Sequence, residues 1–337
     1  MNREHPGADE LTPFKDTIYQ WPLPHRDRRA LALYQFQARH NPVYARYHKL
    51  LGYDPQQISR VEEIPYLPIR FFKQRHVSVH PQEPTLYFTS SGTSGAATSR
   101  HAVYDPAFYL KGAQRHFEQR YGPLSQYAVL ALLPAYLERQ GSSLVYMAQH
   151  FIEQAGHPDS GFFLDDLQAL SRVLTRMTAA GQPVLLLGVT FALLDLAEQF
   201  PQALGPRTVV METGGMKGRR REMVRAEVHK ILQEAFQLDA IHSEYGMTEL
   251  FSQAYSQGQG LFETPPWMQV HIRRVDDPLS PARPGKTGGI NVMDLANVTS
   301  CAFIQTDDLG RQHPDGRFEV LGRFDHAEIR GCNLMVL

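Results

Sequence analysis

The chain has 337 residues, 42% of them hydrophobic and 20% charged, with a formal net charge of −1. That length buries a sizeable core in one large domain or two smaller ones, and the balanced charge gives no general attraction to nucleic acid or to an anionic membrane. No apolar run approaches the roughly 20 residues that span a bilayer.

Met1 to Asp16 is mostly polar and does not read as a targeting segment. The two cysteines, Cys301 and Cys332, form no CxxC pair, so neither a disulfide framework nor a structural zinc site is expected. The expectation is a cytoplasmic protein with free thiols.

In chain order, Ala30, Leu33 and Phe36 share one face of a helix. Asn41-Pro42 supplies an N-cap and a first-turn proline for a second helix carrying Tyr44, Tyr47 and Leu51, and Gly52 stops it. Ile64 to Lys73, broken by Pro65 and Pro68, predicts an extended crossover ending in a short helical turn. Asp105-Pro106 opens a helix to about Tyr121. Apolar runs over Tyr127–Leu133, Val184–Leu187, Thr208–Met211 and Ala240–His242 then alternate with helices over Leu164–Ala180, Phe191–Phe200 and Gly218–Phe236. The run Arg219-Arg220-Arg221 reads as the solvated start of the last helix.

This pattern predicts an α/β fold with a buried, mostly parallel sheet flanked by helices. After residue 260 the texture changes to short strands over Met268–Val275, Gly289–Met293, Ala302–Gln305 and Phe318–Leu321, separated by dense turns. An α/β core over residues 1–260 is thus expected to carry a small β subdomain over 261–321.

Four stretches carry chemistry. Thr89 to Gly95 holds five hydroxyl side chains and two glycines after a short apolar lead, Tyr87-Phe88. Gly92 and Gly95 let backbone N–H groups converge on one point, and the hydroxyls of Ser90, Ser91, Thr93 and Ser94 are rotatable donors, which together suit a phosphate chain. The loop lacks the lysine of a Walker motif and the three spaced glycines of a dinucleotide fingerprint. Tyr245-Gly246-Met247-Thr248-Glu249 follows a predicted strand; Tyr245 can stack on a purine, Thr248 can donate to a phosphate and Glu249 can hold a hard cation. Thr306-Asp307-Asp308 reads as a turn after a strand, where a carboxylate can take both hydroxyls of a ribose. In Gly322-Arg323-Phe324-Asp325, Arg323 can address phosphate or ribose. Taken singly, each has an ordinary structural explanation: a surface loop, a helix start, an Asp-rich turn, a hairpin ion pair.

In this order the four resemble the adenylate-forming superfamily of acyl-CoA synthetases, luciferases and peptide-synthetase adenylation domains. Ser90 to Gly95 is similar to its phosphate loop and Tyr245 to Glu249 matches its Tyr-Gly-x-Thr-Glu motif. Asp307 replaces the glycine of its Thr-Gly-Asp motif, and Gly322 to Asp325 matches its Gly-Arg-x-Asp hinge. Gly214-Gly215-Met216 stands where that family lays backbone along adenine. Ile64 to Ile69 with Phe72-Lys73, Thr213 to Gly218 and Arg330 to Asn333 resemble, more narrowly, the acyl-protein synthetases of bacterial bioluminescence fatty-acid reductase complexes and their relatives in bacteria that make no light. This covers the chain from about residue 30 to its end.

The resemblance implies the large domain of an adenylate-forming enzyme without its mobile C-terminal domain, residues 322–337 being a hinge-like tail. It implies ATP and Mg²⁺, with the metal on Glu249 and nucleotide contacts from Ser90, Ser91, Gly92, Thr93, Ser94, Gly95, Gly214, Gly215, Met216, Tyr245, Gly246, Thr248, Asp308 and Arg323. Thr248 and Glu249 would serve the chemistry, with Lys217 as the cation replacing the absent domain's lysine. Cys332 would carry the acyl group as a thioester to an acyl reductase-like partner, and the substrate would be a fatty or other carboxylic acid. Cys301, at the start of a predicted strand, is expected to be structural. Phe163, Phe191, Leu193 and Phe251 are candidate pocket walls or plain core. Two alternatives stay open: an acyl- or aryl-CoA ligase of the phenylacetate type, and a non-catalytic nucleotide- or acyl-binding module.

Overall fold

The computed structural model describes residues 8–90, 98–134, 141–214, 221 and 223–324. The elements begin with α1 (Ala8–Lys15), α2 (Arg26–His40) and α3 (Pro42–Leu51). Asn41 Oδ1 accepts from the Val43 and Tyr44 amides at 3.0 and 3.2 Å, and Gly52 ends the third helix at φ 74°, as the capping signals predict. The crossover delivers β1 (Leu67–Pro68) and a single turn, α4 (Phe71–Gln74). The hairpin β2 (Leu86–Thr89) and β3 (Arg100–Val103) then brackets the hydroxyl-rich loop.

A parallel sheet follows. Its elements are α5 (Pro106–Tyr121), β4 (Ala128–Leu132), α6 (Ser143–Ala155), β5 (Gly161–Phe162), α7 (Leu167–Ala179), β6 (Val184–Val189), α8 (Thr190–Gln199), β7 (Thr208–Thr213), α9 (Arg225–Phe236), β8 (His242–Tyr245) and β9 (Ala254–Ser256). The strands lie in the order β5-β4-β6-β7-β8-β9, all parallel except β9. β4 and β6 are buried throughout, which is why they read as unbroken apolar runs. Each such Leu or Val contributes roughly 1.5–3 kcal/mol of burial.

The second sheet contains β10 (Leu261–Phe262), β11 (Met268–Arg273), β12 (Gly288–Asp294), β13 (Phe303–Gln312) and β14 (Phe318–Arg323), in the order β10-β14-β13-β12-β11. β1 joins it by pairing in parallel with β13.

The expected α/β class with its mostly parallel sheet and small β unit is present, with α1, the β2–β3 hairpin and the antiparallel β9 added to the expected elements, and four further details differ. α6 and β5 were not anticipated, because Gly141-Ser142 reads as loop although Ser142 in fact caps a helix, accepting from the Val145 amide at 3.3 Å. α9 starts at Arg225, not at residue 218, since Val224 is extended at ψ 147°. β8 continues through Ser243, Glu244 and Tyr245, paired on one side to β7 and on the other to β9. Finally, Thr306-Asp307-Asp308 lies inside β13 and not at a turn. A bulge at Leu309/Gly310 absorbs the irregularity and lets the strand run on along β14.

Candidate active site

Tyr245, at the end of β8, donates its hydroxyl to Asp308 Oδ2 at 2.8 Å, joining the parallel sheet to the second sheet. Arg323 stands opposite Asp308 across the β13–β14 ladder and donates Nε–H to Asp308 Oδ1 at 3.2 Å. The Asp308 side chain is 9% exposed and that of Arg323 80%, so the guanidinium reaches into solvent from a buried anchor. The Tyr245 ring packs edge to face on Phe262 and Phe318, with centroids 5.9 and 5.6 Å away.

Beneath them, the buried Arg273 donates to the Thr306 carbonyl at 2.7 Å and to the Ile290 carbonyl at 2.8 Å. Its guanidinium lies across Gly289, where an added Cβ would fall 2.3 Å from Cζ. The glycine is a condition of that close approach.

The turn from Gly246 to Glu249 is held through its carbonyls. His101 Nδ1 is 2.8 Å from the Thr248 oxygen, Asn297 Nδ2 donates to the Glu249 oxygen at 2.8 Å, and His101 Nε2 is 3.0 Å from Asn297 Oδ1. Burial pushes the His101 imidazole down to about 4, and its hydrogen bonds to the Thr248 carbonyl and the Asn297 side chain oppose that shift. Asn297 is fixed in turn by α2: Gln37 Nε2 donates to the Asn297 and Val298 carbonyls at 2.8 and 2.9 Å, and Asn41 Nδ2 to that of Ser300 at 3.0 Å. The fully buried Asp294 accepts from the Phe251 and Ser252 amides at 2.8 and 2.9 Å and from the Ser252 hydroxyl at 2.7 Å, closing the turn's far side.

Glu249 is 5% exposed, and burial raises its carboxyl above the usual range. The Ser99 hydroxyl bonded to it opposes that rise, as do the charges of Arg323 and Lys73. Ser99 also closes the base of the hydroxyl-rich loop, since Ser90 N donates to Ser99 O at 3.1 Å and Ser99 N to Ser90 Oγ at 2.9 Å. The loop therefore springs from a point in contact with Glu249.

Two further carboxylates lie at the ends of β7 and β8. Glu212 accepts from Thr190 Oγ1 at 3.0 Å and Arg225 Nε at 2.9 Å, with His229 Nε2 at 3.5 Å. Burial works against its charge, but the His229 and Arg225 contacts prevail and its carboxyl is lowered. Arg225 also donates to the Val320 carbonyl at 3.0 Å, tying β7 to β14. On the opposite face Glu244 accepts from the Thr213 hydroxyl, and burial lifts it to about 7. Gly246 leaves it room, because a Cβ there would meet Glu244 Oε1 at 2.3 Å.

The structure thus brings together Ser90, Tyr245, Thr248, Glu249, Asp308 and Arg323 from the predicted set, with Gly214 closing β7 at φ 75°. Ser91, Gly92, Thr93, Ser94, Gly95, Gly215, Met216, Lys217 and Cys332 lie outside the described residues. Cys301 is buried, donates to the Phe303 carbonyl at 3.4 Å and is pushed up to about 12 by burial, an inert structural thiol as expected. Phe191, Leu193 and Phe251 are core residues. Sequence reasoning passed over His101, Asn297, Asp294, Arg273, Arg225 and the two strand carboxylates.

A parallel sheet with a Tyr-Gly-Met-Thr-Glu turn beyond one strand end, beside the Ser90–Ser99 stem and an Asp–Arg pair from a second sheet, defines the adenylate-forming fold. Solved structures agree. ATP-bound MatB from Rhodopseudomonas palustris superposes with a TM-score of 0.53 at 17% identity, over 70% of this chain and 47% of its own. The chain thus spans about half the length of that enzyme. An open form of 2-hydroxyisobutyryl-CoA ligase, in complex with 2-HIB-AMP and CoA, superposes with a TM-score of 0.61 at 15% identity, over 95% of this chain and 74% of its own.

The family model of acyl-protein synthetases, LuxE, matches residues 141–337, and the chain belongs to that family of ligases. Among characterised relatives, the long-chain-fatty-acid–luciferin-component ligase of Aliivibrio fischeri is 23% identical over 92% of this chain and 87% of its own. That of Vibrio harveyi is 23% identical over 95% and 90%. Among the described residues no helix is long and apolar enough to cross a membrane.

Proposed function

We propose that this ligase activates a fatty or other carboxylic acid with ATP to an acyl-adenylate and pyrophosphate, takes the acyl group onto Cys332 as a thioester, and passes it to an acyl reductase-like protein in the cytoplasm. The observation that carries the reading is the junction of Tyr245, Asp308 and Arg323 beside Glu249 and the Ser90–Ser99 stem. It collects, from four distant stretches, an acceptor for ribose hydroxyls, an exposed guanidinium, a buried carboxylate and the root of a phosphate-suited loop.

In this reading residues 1–260 form the adenylation core, 261–321 carry the second sheet and 322–337 are a hinge-like tail. Gly322, at φ 144° with no atom within 4 Å of where a Cβ would stand, suits a pivot. Asp308 takes the ribose and Arg323 the phosphates or ribose. Ser90 to Gly95 and Thr248 donate to the phosphate chain. Gly214, Gly215 and Met216 lie along the adenine with Tyr245 and Gly246. Lys217 or Arg323 adds positive charge.

Glu249 would fit Mg²⁺: it is a buried carboxylate whose described partners are the Ser99 hydroxyl and its own backbone amide, and no group of three or more His, Cys, Asp or Glu is found among the described residues. Phosphate oxygens and water complete such a shell, and the ion neutralises phosphate charge. The chain's own part is to align the carboxylate with the α-phosphorus and to place donors around it.

Carboxylate-dependent ATP–pyrophosphate exchange, run over a panel of acids and followed by intact-mass analysis for an acyl adduct, tests both halves. No exchange with any acid removes the adenylation reading. Soluble acyl-CoA formed with free coenzyme A and no protein adduct transfers the second step to coenzyme A.

A further inference from the structure

Arg225, the first residue of α9, reaches out of its helix to three strands. Its Nε–H donates at 2.9 Å to Oε1 of Glu212, the penultimate residue of β7. Its Nη1–H donates to the Val320 carbonyl of β14 at 3.0 Å. The guanidinium lies over the Phe262 ring of β10, 4.9 Å from the centroid, and Phe262 packs in turn on the Tyr245 ring. Glu212 is itself anchored, since its side chain is 4% exposed and its other oxygen accepts from Thr190 Oγ1 at 3.0 Å.

The strand that Arg225 grips is the one that carries Arg323. Val320 stands opposite Gly310, and the next pairs along the ladder are Leu309 with Gly322 and Asp308 with Arg323, so Leu321 is the extra residue of the bulge. A bulge leaves a ladder irregular at that point. The bond from Arg225 therefore holds β14 where its own pairing is interrupted, immediately before the residues that face Tyr245 and the solvent.

We propose that Arg225 is a positioning residue for the nucleotide: by holding β14 against the end of β7, it sets Asp308 and Arg323 at the distance from Gly214 and Tyr245 that a bound ATP requires. The inference rests on the adenylation reading above and adds to it the residue that aligns the two sheets. Arg225 touches no reacting atom, and no bond forms or breaks at it. A guanidinium suits the task because its planar fork serves two acceptors in fixed directions while its face rests on an aromatic ring. Its loss should loosen ATP and leave the chemical step alone.

The test is ATP binding by calorimetry and carboxylate-dependent ATP–pyrophosphate exchange by the full chain, well below its melting temperature. The variants are Arg225→Gln, the double variant Arg225→Gln with Glu212→Gln, and Val228→Ala, which hollows the core under the same helix. Arg225→Gln is expected to raise Kd and KM for ATP about tenfold, with kcat and KM for the acid within about threefold of wild type. The double variant leaves no buried carboxylate unpaired and should show the same rise. Val228→Ala should melt lower and bind ATP like wild type.

Folded Arg225→Gln and double variants that bind ATP within about twofold of wild type overturn the assignment. So does an equal rise in KM for the acid, a loss carried by kcat alone, or a Val228→Ala variant that binds ATP as weakly as Arg225→Gln. Failure of both the single and the double variant to fold makes Arg225 a residue of stability and overturns it too. Wild type that binds ATP but exchanges with no acid removes the adenylation reading, and calorimetry still decides the role of Arg225. Wild type that binds no ATP removes both.

Discussion

The Tyr245 hydroxyl donates to the Asp308 carboxylate at 2.8 Å across 63 residues of sequence, and both groups are buried. One bond thus joins the end of a parallel strand to the middle of a strand in a different sheet. Tyr245→Phe removes only the donor, leaving Arg323 on the carboxylate, and should raise KM for ATP about three- to tenfold with little change in kcat. Asp308→Ala also orphans the buried hydroxyl; it should abolish ATP saturation and lower the unfolding free energy measured in urea by about 1–3 kcal/mol. Exchange kinetics and urea titration check both.

Glu249→Gln keeps the shape of the side chain and a partner for Ser99 but removes its charge. Pyrophosphate exchange should fall about 100-fold, and the Mg²⁺ concentration for half-maximal rate should rise. A Mg²⁺ titration of variant and wild type, showing coincident curves, would remove the metal role.

Cys332→Ser should leave exchange at the wild-type rate and abolish labelling by radioactive fatty acid that survives acid but not hydroxylamine. Cys301→Ala should retain both, since its thiol is buried and held protonated, and cost only about 1–2 kcal/mol of stability for the small cavity. Labelled peptides identify the carrier directly.

Acid should destabilise the fold before it protonates ordinary carboxylates. Burial lowers His48, His101 and His242 to about 4 and His116 to about 3, from 6.5. Between those values the unfolded chain binds the protons and the folded one does not, so stability is full above pH 6.5 and lost as pH falls toward 4. Glu244, lifted to about 7, works in the opposite direction over pH 4.5–7, and Glu249 and Asp294, which burial also raises, work the same way, against the lowered histidines, His150 and His271 among them. Urea midpoints should fall from pH 7.5 to pH 5, and His48→Phe, which removes two buried ring nitrogens without partners, should flatten that slope.

Much of the fold could be read from local signals. Asn41-Pro42 and Asp105-Pro106 announce their helices because capping is decided within a few residues. The apolar runs of β4, β6 and β7 announce a sheet covered on both faces. What stayed hidden depends on distant partners. His101 matters through a carbonyl 147 residues away and Gln37 through one 260 residues away. Neither has a neighbour in sequence that marks it. The setting of Asp308 was misread, since Gly310 signals a turn and only the bulge beside β14 shows that the strand continues.

The pairing of β1 with β13 joins residues 67–68 to residues 304–305, and Gln37 and Asn41 grip the loop that precedes β13. A chain emerging from the ribosome therefore holds residues 37–68 without these partners until residue 305 has been made. Loop closure over such separations is slow, and waiting apolar surface invites association with other chains. Synthesis of this protein should lean on chaperones, and excising either end should strand the other.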